Sequence, residues 1–226
     1  RIQIAIITKL INNTKFKIDK GDHLLDTHTH ILWNIDDGSK NQCMSLQMLE
    51  IAARSGTKAI FATPHVIERA NKPSWEEIKE KTQQLRQLCA EAQIDIMLYP
   101  GAEVQMNWEL LPELGATGAY CLNGGRYLLI ELPAAEIPAY ADEFWYELEL
   151  KGITPILAHP ERYQQLRENP DLLLLWRRRG MLMQCNSGSF TGMFGSSVCE
   201  NAKVLLANGL VDLLGSDGHR SEGRNT

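Results

Sequence analysis

The sequence lacks a Cys-x-x-Cys pair, a long hydrophobic run and an excess of basic residues. Its five cysteines, Cys43, Cys89, Cys121, Cys185 and Cys199, are odd in number and widely spaced. That pattern argues against a disulfide framework and fits reduced thiols in a cytoplasmic protein. No apolar run approaches the roughly 18 residues of a membrane span, so no membrane insertion is expected. The stretch from Ile2 to Ile11 is apolar, but Arg1 and Lys9 bracket it and no small-residue cleavage site follows, so it is not read as a signal peptide. A formal net charge of -5 and a pI near 5.7 argue against a nucleic-acid binder with a broad basic face. The one basic run, Arg177-Arg178-Arg179, is expected to be a solvated helix end with its cations near the C-terminal dipole. Common catalytic signatures are missing too. No cysteine is followed six positions later by arginine, and there is no P-loop, no His-Glu-x-x-His and no Gly-x-Ser-x-Gly.

What remains is an ordinary globular composition: 226 residues, 44% hydrophobic and 23% charged, enough for one sizeable domain. Strand and helix patterns alternate along it. A strand is expected to end in Leu24 to His28, followed by a helix from Met44 to Arg54 and a strand from Lys58 to Ala62. A capping box of Ser74 and Glu77 opens a helix that runs to about Ala92. Strands follow at Ile94–Leu98 and Tyr127–Ile130, then a helix at Tyr140–Leu150 and a strand at Ile153–Leu157. The pattern closes with helix Leu172–Arg179, strand Met181–Cys185, helix Val198–Ala207 and strand Val211–Leu214. The Ser187 to Gly192 stretch reads as a loop. About seven strands, most followed by a helix, imply an α/β fold with a parallel sheet in a chain of roughly barrel length. Functional residues in such a sheet belong at the carboxyl ends of the strands.

Those ends are where the histidines fall. Of six histidines, five lie in Asp26-Thr27-His28-Thr29-His30, Thr63-Pro64-His65, His159-Pro160-Glu161-Arg162 and Ser216-Asp217-Gly218-His219. His28 and His30 are two apart on an extended segment and so share a face. A lone His-x-His is weak, since such pairs are more often ordinary surface or core residues. Its weight comes from Asp36-Asp37-Gly38 close behind and from the other histidine-bearing strand ends. Imidazole mixed with carboxylates suits Mn or Fe better than structural zinc. Glu103 and Glu131 each end an apolar strand, where a carboxylate is costly unless paired, solvated or bound to a cation. Either alone would pass for a surface ion pair; both, in phase with His65, His159 and Asp217, point to a metal cluster. Arg162 offers a planar guanidinium able to hold phosphate oxygens bidentately, the alternative being a surface pair with Glu161 or Glu168. Arg224, seven residues after Asp217 in a polar tail, is on its own more simply read as solvated.

The ordered series Asp-x-His-x-His, Asp-Asp-Gly, Thr-Pro-His, Gly-Ala-Glu, Ile-Glu-Leu, Ala-His-Pro-Glu-Arg-Tyr and Ser-Asp-x-His resembles the polymerase-and-histidinol-phosphatase (PHP) superfamily. More narrowly, it is similar to the manganese-dependent bacterial tyrosine-protein phosphatases of capsule and exopolysaccharide synthesis. The resemblance runs from about Leu24 to Arg224. Asp-Asp-Gly and Ala-His-Pro-Glu-Arg-Tyr favour the tyrosine phosphatase branch over the histidinol phosphatase branch.

The resemblance implies a distorted (β/α)7 barrel of PHP type over residues 24–226, behind an N-terminal extension over residues 1–23. Family members continue with helical sequence that packs on the barrel, so such sequence is expected after Thr226. It implies up to three divalent ions, Mn2+ first, with Fe or Zn as alternatives. His28, His30, Glu103 and Asp217 would hold one ion. Glu103 would bridge to a second, held also by Glu131 and His159, and Asp37, His65 and His219 would hold a third. Arg162 and Arg224 would hold the phosphate and share catalytic roles with Asp217 and His219. The implied activity is that of a phosphoric monoester hydrolase on a phosphotyrosine protein, the C-terminal tail of a bacterial tyrosine kinase, in the cytoplasm. Charge arithmetic agrees: three divalent ions, four carboxylates and a bridging hydroxide leave about +1, which suits a phosphate dianion. Two other readings stand beside it, a PHP-type phosphoesterase acting on a small phosphate ester and a non-catalytic PHP regulatory module. The presence of all nine candidate ligands weighs against the second.

Overall fold

The computed structural model describes residues 24–115 and 118–222. The expected extension over residues 1–23 and Arg224 lie outside the described residues. Apolar alternation builds the sheet. Along β6 (Tyr127–Glu131), Tyr127 and Leu129 join one apolar cluster while Leu128 and Ile130 join another. Along β7 (Thr154–Ala158), Ile156 and Ala158 face the first cluster and Leu157 the second. A strand buried on both faces in this way belongs to a parallel sheet covered by helices.

The other strands are β1 (Leu24–Thr29), β2 (Thr57–Ala62), β3 (His65–Val66), β4 (Met97–Pro100), β5 (Glu103–Gln105), β8 (Leu182–Asn186) and β9 (Leu213–Gly215). All pairings are parallel, in the orders β1-β2-β4 and β3-β5-β6-β7-β8-β9. β2 continues through Thr63-Pro64 into β3, and β4 through Gly101-Ala102 into β5, so nine strands fill seven positions. The last position returns to the first: Asp217 N–H donates to His28 O at 2.8 Å, and His30 N–H to Gly218 O at 2.9 Å. The result is the expected ring of (β/α)7 type, with a distortion of identifiable origin. β6 pairs with β5 but not with β4. Leu122, from a short 3-10 turn (Leu122–Gly124), packs into the smaller cluster with Phe61, Tyr99 and Leu129 and closes against Gly101.

The helices α1 (Gln42–Arg54), α2 (Trp75–Glu91), α3 (Ala141–Leu150), α4 (Gln164–Glu168), α5 (Pro170–Arg178), α6 (Ser187–Phe190) and α7 (Ser196–Ala207) follow the strands. The larger cluster, including Ile60, Met48, Ile78, Phe144 and Trp176, lies between helices and strands. Ser74 caps α2 as expected, accepting from Glu77 N–H. After β5 the chain forms a 3-10 segment (Trp108–Glu113) rather than an α-helix.

Three expectations need correction. The strand expected from Ile94 starts at Met97, because Gln93 turns left-handed (φ 56°) and Ile94 N–H folds back to Cys89 O at 2.9 Å. The loop expected at Ser187 begins as the helical turn α6, pinned by Ser189 Oγ donating to Glu161 Oε1 at 2.7 Å. Arg177 is not simply solvated: it donates to the buried Asp212 carboxylate at 2.6 Å. Among the described residues, no helix is long and apolar enough to cross a membrane.

Candidate metal centre

The carboxyl ends of the strands bring the histidines and acids into one buried cluster. Thr27 Oγ1 donates to Leu214 O and Thr29 Oγ1 to Phe61 O, which ties β1 to both neighbours and fixes the residues between and beyond them. His28 and His30 then turn their Nε2 atoms toward each other at 3.1 Å. Glu103 Oε2, from β5, lies 3.1 Å from His28 Nε2 and 3.3 Å from His30 Nε2. Asp217 Oδ1 lies 3.6 and 3.4 Å from the same two nitrogens.

The outer nitrogens decide the tautomers. Gln184 Nε2 donates to Cys185 O and to Asn186 Oδ1, so its Oε1 is an acceptor and His28 Nδ1, 2.9 Å away, must carry the proton. His30 Nδ1 donates to Asp36 Oδ2 at 2.7 Å, and His219 Nδ1 donates to Asp217 O at 2.9 Å. With those protons committed, neutral rings point their Nε2 lone pairs inward. Two lone pairs 3.1 Å apart, facing a fully buried carboxylate oxygen that has no hydrogen-bond donor, repel unless positive charge lies between them.

The pKa directions express the same demand. Burial disfavours charge on His30, yet the Asp36, Asp217 and Glu103 carboxylates around it hold it well above its ordinary value. His28 is likewise raised against its burial by Glu103 and Asp217. Burial opposes charge on His65 too, but the Glu103 and Glu131 carboxylates beside it push it to about 10. Glu103 and Asp217 are held well below the carboxylate range, despite burial, by the surrounding imidazoles. Divalent ions meet this demand at least as well as protons do. Four ligands at about 2.1 Å from a tetrahedral ion are about 3.4 Å apart, close to the 3.1 to 3.6 Å spacings seen here.

The remaining candidates extend the cluster. His65 Nδ1 is 3.1 Å from Glu103 Oε2 and 3.4 Å from Glu131 Oε1, and His159 Nε2 is 2.8 Å from Glu103 Oε1. Asp37 Oδ1 sits 3.7 Å from His65 Nε2 and 3.4 Å from His219 Nε2. Three donor groups result: His28, His30 and Glu103; His65, Glu103 and Glu131; and His30, Asp37, His65 and His219. The nine expected ligands therefore meet in one place, with His65 beside Glu103 and Glu131 where His159 alone was expected. His159 and Asp217 both adopt left-handed backbone (φ 37° and 54°), a costly conformation for a histidine and one that clusters at functional sites.

Arg162 donates to Asp217 Oδ2 at 3.0 Å, with its guanidinium carbon 4.9 Å from the Phe194 ring centre. The expected alternative partners are engaged elsewhere: Glu161 is fully buried and accepts from Asn186 N–H, and Glu168 accepts from Gln164. The cluster floors a cleft of about 580 Å³. One wall is residues 132–137, the other Gln164, Gln165 and Glu168, and Ile137 N–H donates to Gln165 Oε1 at 2.7 Å to join them. A second cavity of about 570 Å³, between α3 and α5, has no histidine in its lining.

Sequence reasoning missed the supporting partners. Asp36 fixes His30 and also accepts from His65 N–H at 3.0 Å. Gln184 fixes His28, and Asn186 Nδ2 donates to Asp217 Oδ2 at 2.8 Å. Arg220 donates to Asp37 O and Gly38 O, holding that loop down. Gln184 and Asn186 did leave a trace, two amides in phase near the end of an otherwise apolar strand.

The sequence matches the family described as "Capsular polysaccharide synthesis, CpsB/CapC" over residues 24–226. It is 35% identical over 202 residues to the tyrosine-protein phosphatase YwqE of Bacillus subtilis (strain 168), spanning 89% of this chain and 80% of that one. It is 29% identical over 206 residues to the tyrosine-protein phosphatase CpsB of Streptococcus pneumoniae, spanning 89% and 85%. A solved structure, reported under "Crystal structures of YwqE from Bacillus subtilis and CpsB from Streptococcus pneumoniae, unique metal-dependent tyrosine phosphatases", is similar with a TM-score of 0.85 and 35% identity. That similarity spans 89% of this chain and 82% of the other.

Proposed function

We propose a function from the premise that the chain belongs to the CpsB/CapC family of capsular polysaccharide synthesis proteins and is a metal-dependent tyrosine-protein phosphatase. Its substrate, in this reading, is the phosphorylated C-terminal tail of a bacterial tyrosine kinase that controls capsule or exopolysaccharide export. Family membership supports that partner. A cytoplasmic location is supported by five free cysteines.

One observation carries the metal assignment: the facing Nε2 atoms of His28 and His30, with their Nδ1 protons committed elsewhere, beside the donorless Oε2 of Glu103. His28, His30, Glu103 and Asp217 would hold a first ion, Glu103, Glu131 and His159 a second, and Asp37, His65 and His219 a third. Mn2+ is favoured by the mixed imidazole and carboxylate donors, with Fe or Zn as alternatives. Bound there, divalent ions supply hydroxide at neutral pH and neutralise phosphate charge.

The chain's own residues do the rest. Arg162 has N–H donors beyond the one given to Asp217, and these would hold phosphate oxygens as charge moves onto them in the transition state. Asn186 and Arg162 occupy Asp217 Oδ2, which leaves Oδ1 beside the Nε2 atoms of His28 and His30, where it would help hold an ion. Arg224 would supply a second guanidinium. The cleft is open enough for an aryl phosphate, and its wall at Pro133 and Ala134 offers the ring apolar contact. Phenol has a pKa of about 10, so a tyrosine side chain leaves far more readily than an alkoxide, and a dedicated general acid is less necessary.

The test pairs elemental analysis with hydrolysis of a phosphotyrosine peptide, with and without added Mn2+, using Asp217→Asn as control. Bound metal with Mn2+-stimulated, Asp217-dependent turnover is expected. Turnover of a small phosphate ester but no peptide would move the assignment to a small-ester phosphoesterase. Absence of both metal and turnover would overturn the site.

A further inference from the structure

With the proposed ions bound, the floor and the rim of the cleft would carry opposite charge. On the floor, those divalent ions would outweigh Asp37, Glu103, Glu131 and Asp217. Two further carboxylates line the cleft higher up, Glu136 on one wall and Glu168 on the other, and both are exposed. Neither forms an ion pair among the described residues; Glu168 Oε1 accepts only from the neutral Gln164 amide, at 2.7 Å. Arg162 is the one arginine or lysine among the described lining residues, and it already serves Asp217. The Ile137–Gln165 hydrogen bond holds the two walls in register, so both carboxylates belong to one opening.

A phosphotyrosine that reaches the floor lays its neighbouring residues across this rim. Each residue along an extended peptide adds about 3.4 Å, so side chains one or two positions away pass within reach of the walls. We propose that Glu136 and Glu168 are specificity-determining residues. They favour phosphotyrosine flanked by lysine or arginine and disfavour phosphotyrosine flanked by aspartate or glutamate. The inference rests on the phosphatase reading and adds the chemistry of the flanking segment to it.

The size of the effect follows from exposure. A pair of unit charges about 8 Å apart in water changes an equilibrium about twofold. Two rim charges meeting two flanking charges, attractive in one peptide and repulsive in the other, give about a tenfold ratio at low salt. Because the groups are exposed, the ratio shrinks as the screening length falls to several ångström in concentrated salt.

The experiment measures kcat/KM of the Mn2+-loaded protein on two phosphotyrosine peptides that differ only in lysine or glutamate on either side of the phosphorylated residue. The wild type is expected to prefer the lysine peptide about tenfold. The preference should vanish in the double variant Glu136→Gln with Glu168→Gln, and invert in the double variant Glu136→Lys with Glu168→Lys. If the lysine pair impairs folding, the glutamine pair carries the test. Equal rates in the wild type, or a preference that survives both double variants, would overturn the inference while leaving the phosphatase reading intact. Hydrolysis of neither peptide, with a small phosphate ester still turned over, would overturn both.

Discussion

Replacing Asp36 by asparagine should weaken metal binding by roughly 10- to 100-fold without unfolding the protein. Asp36 touches no proposed ion. Its Oδ2 accepts from His30 Nδ1 at 2.7 Å and from His65 N–H at 3.0 Å, and its Oδ1 from Gly38 N–H at 2.9 Å. Burial alone would raise its pKa, yet the charged His30 ring and these donors lower it from 3.8 to about 2. At about 1.36 kcal/mol per unit, that interaction is worth about 2 kcal/mol. The carboxylate is depressed, so its contribution is complete above pH 3.8 and is lost only as pH falls through about 2. It is fully present at neutral pH. An asparagine that keeps its oxygen on Gly38 N–H turns its NH2 group toward both His65 N–H and His30 Nδ1. The ring must then move its proton to Nε2, the atom that faces Glu103 and Asp217, and a first-site donor is lost. Removing a partner behind a ligating histidine typically weakens metal binding by roughly 10- to 100-fold, which sets the expected size of the effect. Titration of Mn2+ into the metal-free wild type and Asp36→Asn at pH 7.5, followed calorimetrically, measures the difference directly. A folded variant that binds Mn2+ within twofold of the wild type would refute the tautomer argument.

Three further expectations can be checked with the same preparations. Arg162→Lys should keep its metal yet lose roughly 10- to 100-fold in kcat/KM on a phosphotyrosine peptide, because an ammonium cannot engage Asp217 and phosphate with one planar fork; unchanged kinetics would remove Arg162 from phosphate binding. Gly38→Ala should cost about 1–3 kcal/mol of stability and weaken metal binding, since its new Cβ would fall 2.1 Å from His30 O and 2.5 Å from His30 Cβ; an unshifted melting temperature would show that the loop gives way. Metal-free protein should lose stability as pH rises from 6.5 toward about 10, because His65 is raised and its contribution is complete only below 6.5; thermal melts across that range, with and without Mn2+, should show the fall in the metal-free sample alone.

The parts of this molecule that were legible in the sequence are those written as a repeated pattern. Most strand positions close an apolar run with a histidine or a carboxylate, and a parallel sheet gathers such ends at one mouth. That is why His28, Glu103, His159 and Asp217 could be placed together before any coordinates. The breaks of β2 into β3 and of β4 into β5 were not legible, because Thr63-Pro64 and Gly101-Ala102 look like strand exits when the strands in fact resume beyond them. Nor were Gln184 and Asn186, whose roles depend on which atom each amide presents to a neighbour far away in sequence. Arg177 misled for the opposite reason. A run of arginines at a helix end has an adequate local explanation, and only the fold brings Asp212 beneath it.

The seam between β1 and β9 sets an order of events in synthesis. Ser216 N–H reaches Asp26 Oδ1 across 190 positions, and Asp217 completes the donor set that His28 and His30 begin. A ribosome adding roughly 5–20 residues per second needs roughly 10–40 s to cover that span. Throughout that interval the nascent chain holds His28 and His30 without Asp217, and an imidazole pair alone favours Cu2+ or Zn2+ over Mn2+. The donor set that His28 and His30 begin is therefore complete only when the ring closes.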